Sequence, residues 1–392
     1  MSIATAIPEA LFDDAVALRR DLHRHPELGF SERRTSARVA EILRAAHIDT
    51  HEGIATTGVV GVLRGAKPGR TIMLRADMDA LPMPDEKDVA YRSSIPGATH
   101  ACGHDGHVAI LLSAARLLAE RRDELPGTIV FCFQPAEEGG GGARKMIEEG
   151  ILERFGIERA YGLHLTGQIP TGVVALRPGP LLASADDLAI TIRGRGGHAA
   201  FPHLSVDPIY VASSAVVALQ SVVARQNDPL EPAVVSICSM HAGTTSNVIP
   251  GEAQLSGTVR TFNETVRAAL PERIRRVLAG TCEATGASFE FNVRTGFPVT
   301  ANDPGQAEYV RELLVGTFGD ARVVVSPPVM GSEDFSFFAQ RVPSCFVFLG
   351  ARGDERTSYP NHHGLFDIDE RALVTGIQLM TALAHGAPAA SG

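Results

Sequence analysis

Residues 9 to 24 repeat apolar side chains at helical spacing through Leu11, Ala15, Leu18 and Leu22, and residues 35 to 46 do so again through Val39, Ile42 and Leu43. Helices are predicted at both. GVVGVLRG and RTIMLRADMDALP follow as short β-rich runs parted by a Gly/Pro turn. A helical pattern at 107 to 121, the strand GTIVFCFQP, a helix at 143 to 149 and the strand AYGLHL come next. Strand and helix alternating in this way predict an α/β layer with a largely parallel sheet flanked by helices.

The rhythm changes after the turn-rich GPLLASAD. Strand LAITIRG, a helix over 206 to 225, strands AVVSICSM and EAQLSGTVRTF, a helix over 264 to 285 and strand SFEFNVR spell βαββαβ, the ferredoxin-like order of a small sheet with two helices. Past residue 298 the α/β style resumes with a helix near 305 to 317, strand RVVVS, strand SCFVFLG and a terminal helix over 369 to 385. The pattern therefore predicts one outer domain, residues 1–184 and 297–392, interrupted by an inserted domain of residues 185–296, with hinges near 184–186 and 295–297.

Composition narrows the class. A length of 392 residues suits two domains, and a formal charge of −9 with no basic stripe argues against a nucleic-acid partner. No stretch approaches the roughly 18 uninterrupted apolar residues of a membrane span. The opening MSIATAIPEALFDD lacks the basic and long apolar regions of a secretory signal, so a cytoplasmic protein with no membrane partner is expected. The five cysteines, Cys102, Cys132, Cys238, Cys282 and Cys345, are odd in number and scattered, which predicts that most are buried reduced thiols and does not suit a disulfide framework. Cys102 is set apart by its neighbours.

Those neighbours are THACGHDGH, residues 99–107. Cys102 and His104 stand two apart, so in an extended loop both side chains leave one side of the backbone and reach one metal; His100 faces the same way by that alternation. Asp105 is expected to cap the following helix and His107 to lie in its first turn as a packing residue. FQPAEEGGGG places Glu137 and Glu138 at a strand end, where one carboxylate can bind metal while the other stays free as a general base. The glycine run lacks the GK[ST] of a phosphate loop. AYGLHL and YPNHHGLF add further histidines. RADMDALP holds Asp77 and Asp79 at strand spacing, and one of them is expected to accept the second ring N–H of a metal-bound histidine.

These segments together resemble a known family: the hippurate hydrolases, N-acyl-amino-acid amidohydrolases and indole-acetyl-amino-acid hydrolases, relatives of dinuclear metal carboxypeptidases. DLHRHPELGFSE, RADMDALP, HACGHDGH, FQPAEEGGGGA, GLHL, GRGGHAAFPH, TTSNVIP, GTVRTF, GSEDFS and NHHGLFDIDE carry the resemblance in order from residue 21 to 370. It implies metal ligands Cys102, His104, Glu138, His164 and His362, with Glu137 as general base and Asp79 behind the metals, whereas Asp77 replaces a histidine found in wider relatives. It implies that His198 reaches the partner subunit's active site and that Asn247 and Arg260 hold substrate. The outer domain would be catalytic, and the inserted domain a lid and dimer interface of a homodimer or higher oligomer. The implied cofactor is two divalent metal ions, zinc or manganese, with cobalt or nickel possible by ligand chemistry. The implied substrate is a small N-acyl amino acid. The alternatives are a dipeptidase or carbamoylase on the same scaffold, or a non-catalytic metal- or ligand-binding protein.

Overall fold

Helix α1 (Glu9–Arg24) turns Leu11, Ala15 and Leu22 inward, and α2 (Arg33–Ala45) buries Val39, Ala40 and Leu43, the positions picked out by their helical spacing. A computed structural model of the chain describes residues 6–386, so the first five positions of the stretch read for a secretory signal lie outside it. The described residues divide into two compact units, one of residues 6–181, 301–327 and 334–386, the other of residues 182–300 and 328–333.

In the first unit, β1 (Asp49–Ile54), β2 (Gly58–Arg64), β3 (Lys67–Asp77), α3 (His104–Ala119) and β4 (Pro126–Gln134) are followed by α4 (Gly142–Glu148), α5 (Ile151–Phe155), β5 (Arg159–Pro170) and β6 (Val174–Leu176). Strand β7 (Gly179–Leu182) leads out of the unit. The second unit runs β8 (Ser184–Arg193), β9 (Gly197–His198), α6 (Pro208–Gln226), β10 (Ala233–Ala242), β11 (Val248–Ile249), β12 (Glu252–Thr261), α7 (Glu264–Glu283) and β13 (Ser288–Phe297). Strand β14 (Thr300–Asn302) returns to the first unit, which ends with α8 (Pro304–Phe318), β15 (Val323–Val325), α9 (Ser336–Ala339), β16 (Ser344–Arg352) and α10 (Ala372–Gly386).

The large sheet has the order β1-β2-β4-β3-β5-β16-β6-β15. Its centre is parallel, through β4/β3, β3/β5 and β5/β16, whereas β1/β2, β2/β4 and β6/β16 are antiparallel. The sheet is thus more mixed than the helix–strand alternation predicts, because β1 and β2 form a hairpin and β6 turns back on β16 without a helical crossover. Residues 72–77 of β3 are all buried, as expected of a strand covered on both faces. Each fully buried Leu or Phe in this layer stabilises the fold by about 1.5–3 kcal/mol. Helix α10 crosses α3 at Gly376, where a Cβ would stand 2.4 Å from Ile110 Cδ1.

The second unit is a four-stranded antiparallel sheet, β10-β12-β8-β13. Strand β8 alternates, burying Leu188, Ile190 and Ile192 against Ala215 and Leu219 of α6 and Leu270 and Ile274 of α7. Residues 184–186 and 295–297, expected as hinges, are paired strand residues here: Thr295 pairs with Asp186 and Phe297 with Ala185. Asp186 also accepts Gly296 N–H at 2.9 Å and Arg267 Nη2 at 2.6 Å, which ties that corner down. As expected, most of the cysteines are buried: Cys238 is exposed on β10, the other four are buried, and all five are free thiols.

Candidate metal centre

Two carboxyl-end turns of the large sheet and the middle of a neighbouring strand bring the candidate groups together. Strand β4 delivers the turn holding Glu137 and Glu138, β3 delivers Asp77 and Asp79, and β5 carries His164. Such crevices beyond strand ends are where open α/β sheets bind ligands.

Helix α3 begins three residues earlier than its apolar pattern suggests. Gly103, at φ +89°, is the N-cap, and His104 is the first helical residue. The loop is therefore not extended, and the alternation that sent His100 to the metal side fails. The sharp turn still brings Cys102 and His104 together. The donor atoms of Cys102, His104 and His164 all lie within 4.8 Å of one another, as do those of Cys102, Glu138 and His362, and those of His104, Glu137 and Glu138. Cys102 Sγ is 3.3 Å from His164 Nε2, and His362 Nε2 is 3.3 Å from Glu138 Oε1. His362 holds φ +66°, with its N–H donated to Ala101 O. His363 faces elsewhere: its Nδ1 accepts Leu365 N–H, and its ring stacks on Tyr359 at 4.9 Å.

The surrounding groups orient the donors. His104 Nδ1 donates to the backbone oxygen of Asp79 at 2.8 Å and lies 3.4 Å from that residue's carboxylate Oδ1, which turns Nε2 toward Asp77, Glu137 and Glu138 at 3.5, 4.0 and 4.0 Å. The Asp79 carboxylate accepts instead the N–H groups of Glu137 and Glu138, both at 2.9 Å. His107 has both nitrogens engaged, Nδ1 with Asp77 at 2.5 Å and Nε2 as acceptor of Leu165 N–H at 2.9 Å, so it packs and positions as expected. Asp105 takes only one backbone N–H, that of Gly106; its other oxygen meets His23 Nδ1 and Arg19 Nε, so it ties α3 to α1 more than it caps. His100 is buried and lies 6.3 Å from the His23 ring.

The electrostatics suit cations. Burial alone pushes His104 down, but Asp77, then Asp79 and Glu138, outweigh it and raise its pKa to about 10. Burial, reinforced by Glu138 and Glu137, drives the Cys102 thiol well above its ordinary value. Burial and His107 push His164 down to about 3, leaving its ring a neutral donor. His104 Nε2 is buried without a hydrogen-bond partner, although carboxylates surround it. A buried thiol that ionises only beside positive charge, three imidazoles and clustered carboxylates form a donor set that fits two divalent ions.

Sequence reasoning missed a deeper layer. Fully buried Arg75 donates to Asp77 at 2.6 Å, Gln134 at 2.8 Å and Asp334 at 3.0 Å, and Asn361 Nδ2 donates to Cys102 O at 3.2 Å and Leu165 O at 3.1 Å. An arginine within an apolar strand was the available signal, since a buried guanidinium requires acceptors. In the second unit, His198 and Asn247 lie together: His198 pairs with Val248 across β9 and β11, and Ala199 N–H donates to Asn247 O at 3.1 Å. Arg260, on β12, donates to Met330 O and Ser332 Oγ, both at 3.3 Å.

Residues 73–386 match the family described as peptidase family M20/M25/M40. The chain is 42% identical over 378 residues to thermostable carboxypeptidase 2 of Saccharolobus solfataricus, covering 95% of this chain and 94% of that one. It is 40% identical over 371 residues to N-acetylcysteine deacetylase of Bacillus subtilis, covering 94% and 95%. A solved dinuclear metal-binding peptidase of the M20 family from Bacillus subtilis superposes with a TM-score of 0.84 at 36% identity, covering 96% and 98%. With a match over four-fifths of its length and relatives this close, the chain belongs to peptidase family M20/M25/M40.

Proposed function

We propose that this enzyme hydrolyses the amide bond of N-acyl amino acids, releasing a carboxylic acid and a free amino acid, in the cytoplasm and as a homodimer or higher oligomer. The observation that carries the reading is the pair Glu137 and Glu138, held by Asp79 through adjacent N–H groups beside a thiol and three imidazoles. Cys102, His104, Glu138, His164 and His362 would hold two divalent ions, zinc or manganese in the first instance. When bound, these ions polarise the scissile carbonyl and acidify the attacking water. Glu137 accepts that water's proton and delivers it to the leaving amine. His198 of the partner subunit donates to the oxyanion. Asn247 and Arg260 hold the substrate, with the planar guanidinium suited to the free carboxylate of the amino-acid half.

The likeness to a carboxypeptidase supports a peptide-cleaving alternative, and both reactions release an amino acid with a free carboxylate. A panel of N-acetyl, N-benzoyl and N-indoleacetyl amino acids, dipeptides and N-carbamoyl amino acids, assayed on metal-depleted enzyme restored with zinc, manganese, cobalt or nickel, separates them. The N-acyl amino acids are expected to have the highest kcat/KM. Preference for dipeptides or N-carbamoyl compounds would replace this reading, and no turnover with any metal would leave a binding protein.

A further inference from the structure

Three consecutive N–H groups at the carboxylate turn each point at a carboxylate oxygen. Glu137 and Glu138 are held by Asp79; the first of the three, Ala136, donates to Glu32 Oε1 at 2.8 Å. Ala136 is fully buried and stands at φ +52°, a left-handed conformation that is unfavourable for a residue with a Cβ. Such strain persists only where the surroundings enforce it.

Glu32 lies 104 residues upstream, at the N-cap of α2, yet its side chain makes no capping bond to that helix. An N-cap acceptor commonly stabilises its helix, and this residue forgoes that contact. It is fully buried, and its second oxygen accepts Thr57 Oγ1 at 2.5 Å. The segment before it fits the same turn. A Cβ on Gly29 would stand 3.0 Å from Ala136 Cβ, and a Cβ on Gly140 would stand 3.2 Å from the Phe30 ring, so the two backbones meet with little room between them. Thus Leu28 to Glu32, far from the metal donors in sequence, forms the outer wall of the turn that aims them.

We propose that Glu32 is a positioning residue for catalysis: its carboxylate holds the left-handed Ala136 peptide and so sets the divergent directions of Glu137 and Glu138. This rests on the reading of Glu138 as a ligand and Glu137 as the base. If the Ala136 anchor is removed, the strained peptide can relax, and both glutamates move relative to Cys102, His104 and His362 while their own chemistry stays intact.

The test compares Glu32→Leu, which removes both acceptors, with Glu32→Gln, which keeps one oxygen in nearly the same shape. Glu32→Leu is expected to bind zinc about tenfold more weakly in competition with a chromogenic chelator and to lose about tenfold or more in kcat, with KM nearly unchanged. Glu32→Gln should restore most of both, remaining within about twofold to fivefold of the parent enzyme. Glu32→Leu with a lowered Tm but parental zinc affinity and kcat would overturn the proposal, since that is what a purely structural carboxylate predicts. Should Glu32→Leu not fold, Glu32→Ala decides: a folded variant with parental zinc affinity and kcat would overturn it. Zinc affinity needs no substrate. An inactive parent enzyme whose Glu32→Leu variant still binds zinc weakly would retire the hydrolase reading and leave the positioning role standing.

Discussion

Helices α3 and α6 look alike as sequence, two apolar runs of 16 and 19 residues, yet they meet different fates. Helix α3 is buried on nearly every face, between α1 and α10 and over β3, as an all-round apolar helix requires. Helix α6 covers its sheet with Val211, Ala215, Leu219 and Val222 but leaves Tyr210 63% and Val217 74% exposed. Its length and composition would also let it cross a membrane, but its buried side packs in the core of the second unit. The difference is a matter of layers: α3 belongs to a sheet wrapped on both sides, α6 to a sheet with helices on one side. The homodimer proposed above would cover the exposed apolar side of α6 with a second subunit.

The polar contents of the two units differ as well. The first buries charge beneath α3, in Arg75, Asp77, Asp79, His104 and Glu137, whereas Arg193 of the second meets Glu252 and Glu290 in solvent. Buried charge implies large effects on substitution and surface charge small ones. The most severe test is Glu137→Gln. We expect kcat to fall by about 10²–10⁴-fold with metal content unchanged, measured by turnover and metal analysis on the same sample. Loss of metal instead would exchange the roles of the two glutamates. Next is Arg75→Leu, which leaves the Asp77 and Asp334 carboxylates short of a cation and should cost about 3–5 kcal/mol in urea unfolding. A cost below about 1 kcal/mol would show the network to be dispensable. The smallest effect on stability is expected from Val217→Glu on α6, within about 0.5 kcal/mol, while the mass in solution falls to that of a single chain. An unchanged mass would place the subunit contact elsewhere.

Much of this was legible from pattern. The apolar spacing of Leu11 to Leu22, the β-rich run before Gln134 and the βαββαβ order each report local geometry that the chain imposes on itself. Cys102, His104 and the glutamate pair were also legible, because few roles other than metal binding bring such groups together. Less legible was how they are aimed. The start of α3 turned on a left-handed Gly103, which undid the alternation assigned to His100. The histidine's second proton is shared between the Asp79 backbone oxygen and, at 3.4 Å, its carboxylate, which also takes the Glu137 and Glu138 amides, while Asp77 meets His107. Which of two neighbouring histidines faces Glu138 was decided by the fold around residues 361–365.

The long helices, the βαββαβ order of the second unit and the chemical types at the site follow from residues close in sequence or from composition, whereas short strands such as β1 and β6 do not. It took the packed fold to direct Glu32 to Ala136 rather than to its own helix, and to gather Asp77, Gln134 and Asp334 around Arg75. Those pairings close loops of up to 259 residues. A buried carboxylate or guanidinium satisfies its hydrogen bonds with whatever donor or acceptor the packed fold brings to it, and local spacing carries no record of which one that will be.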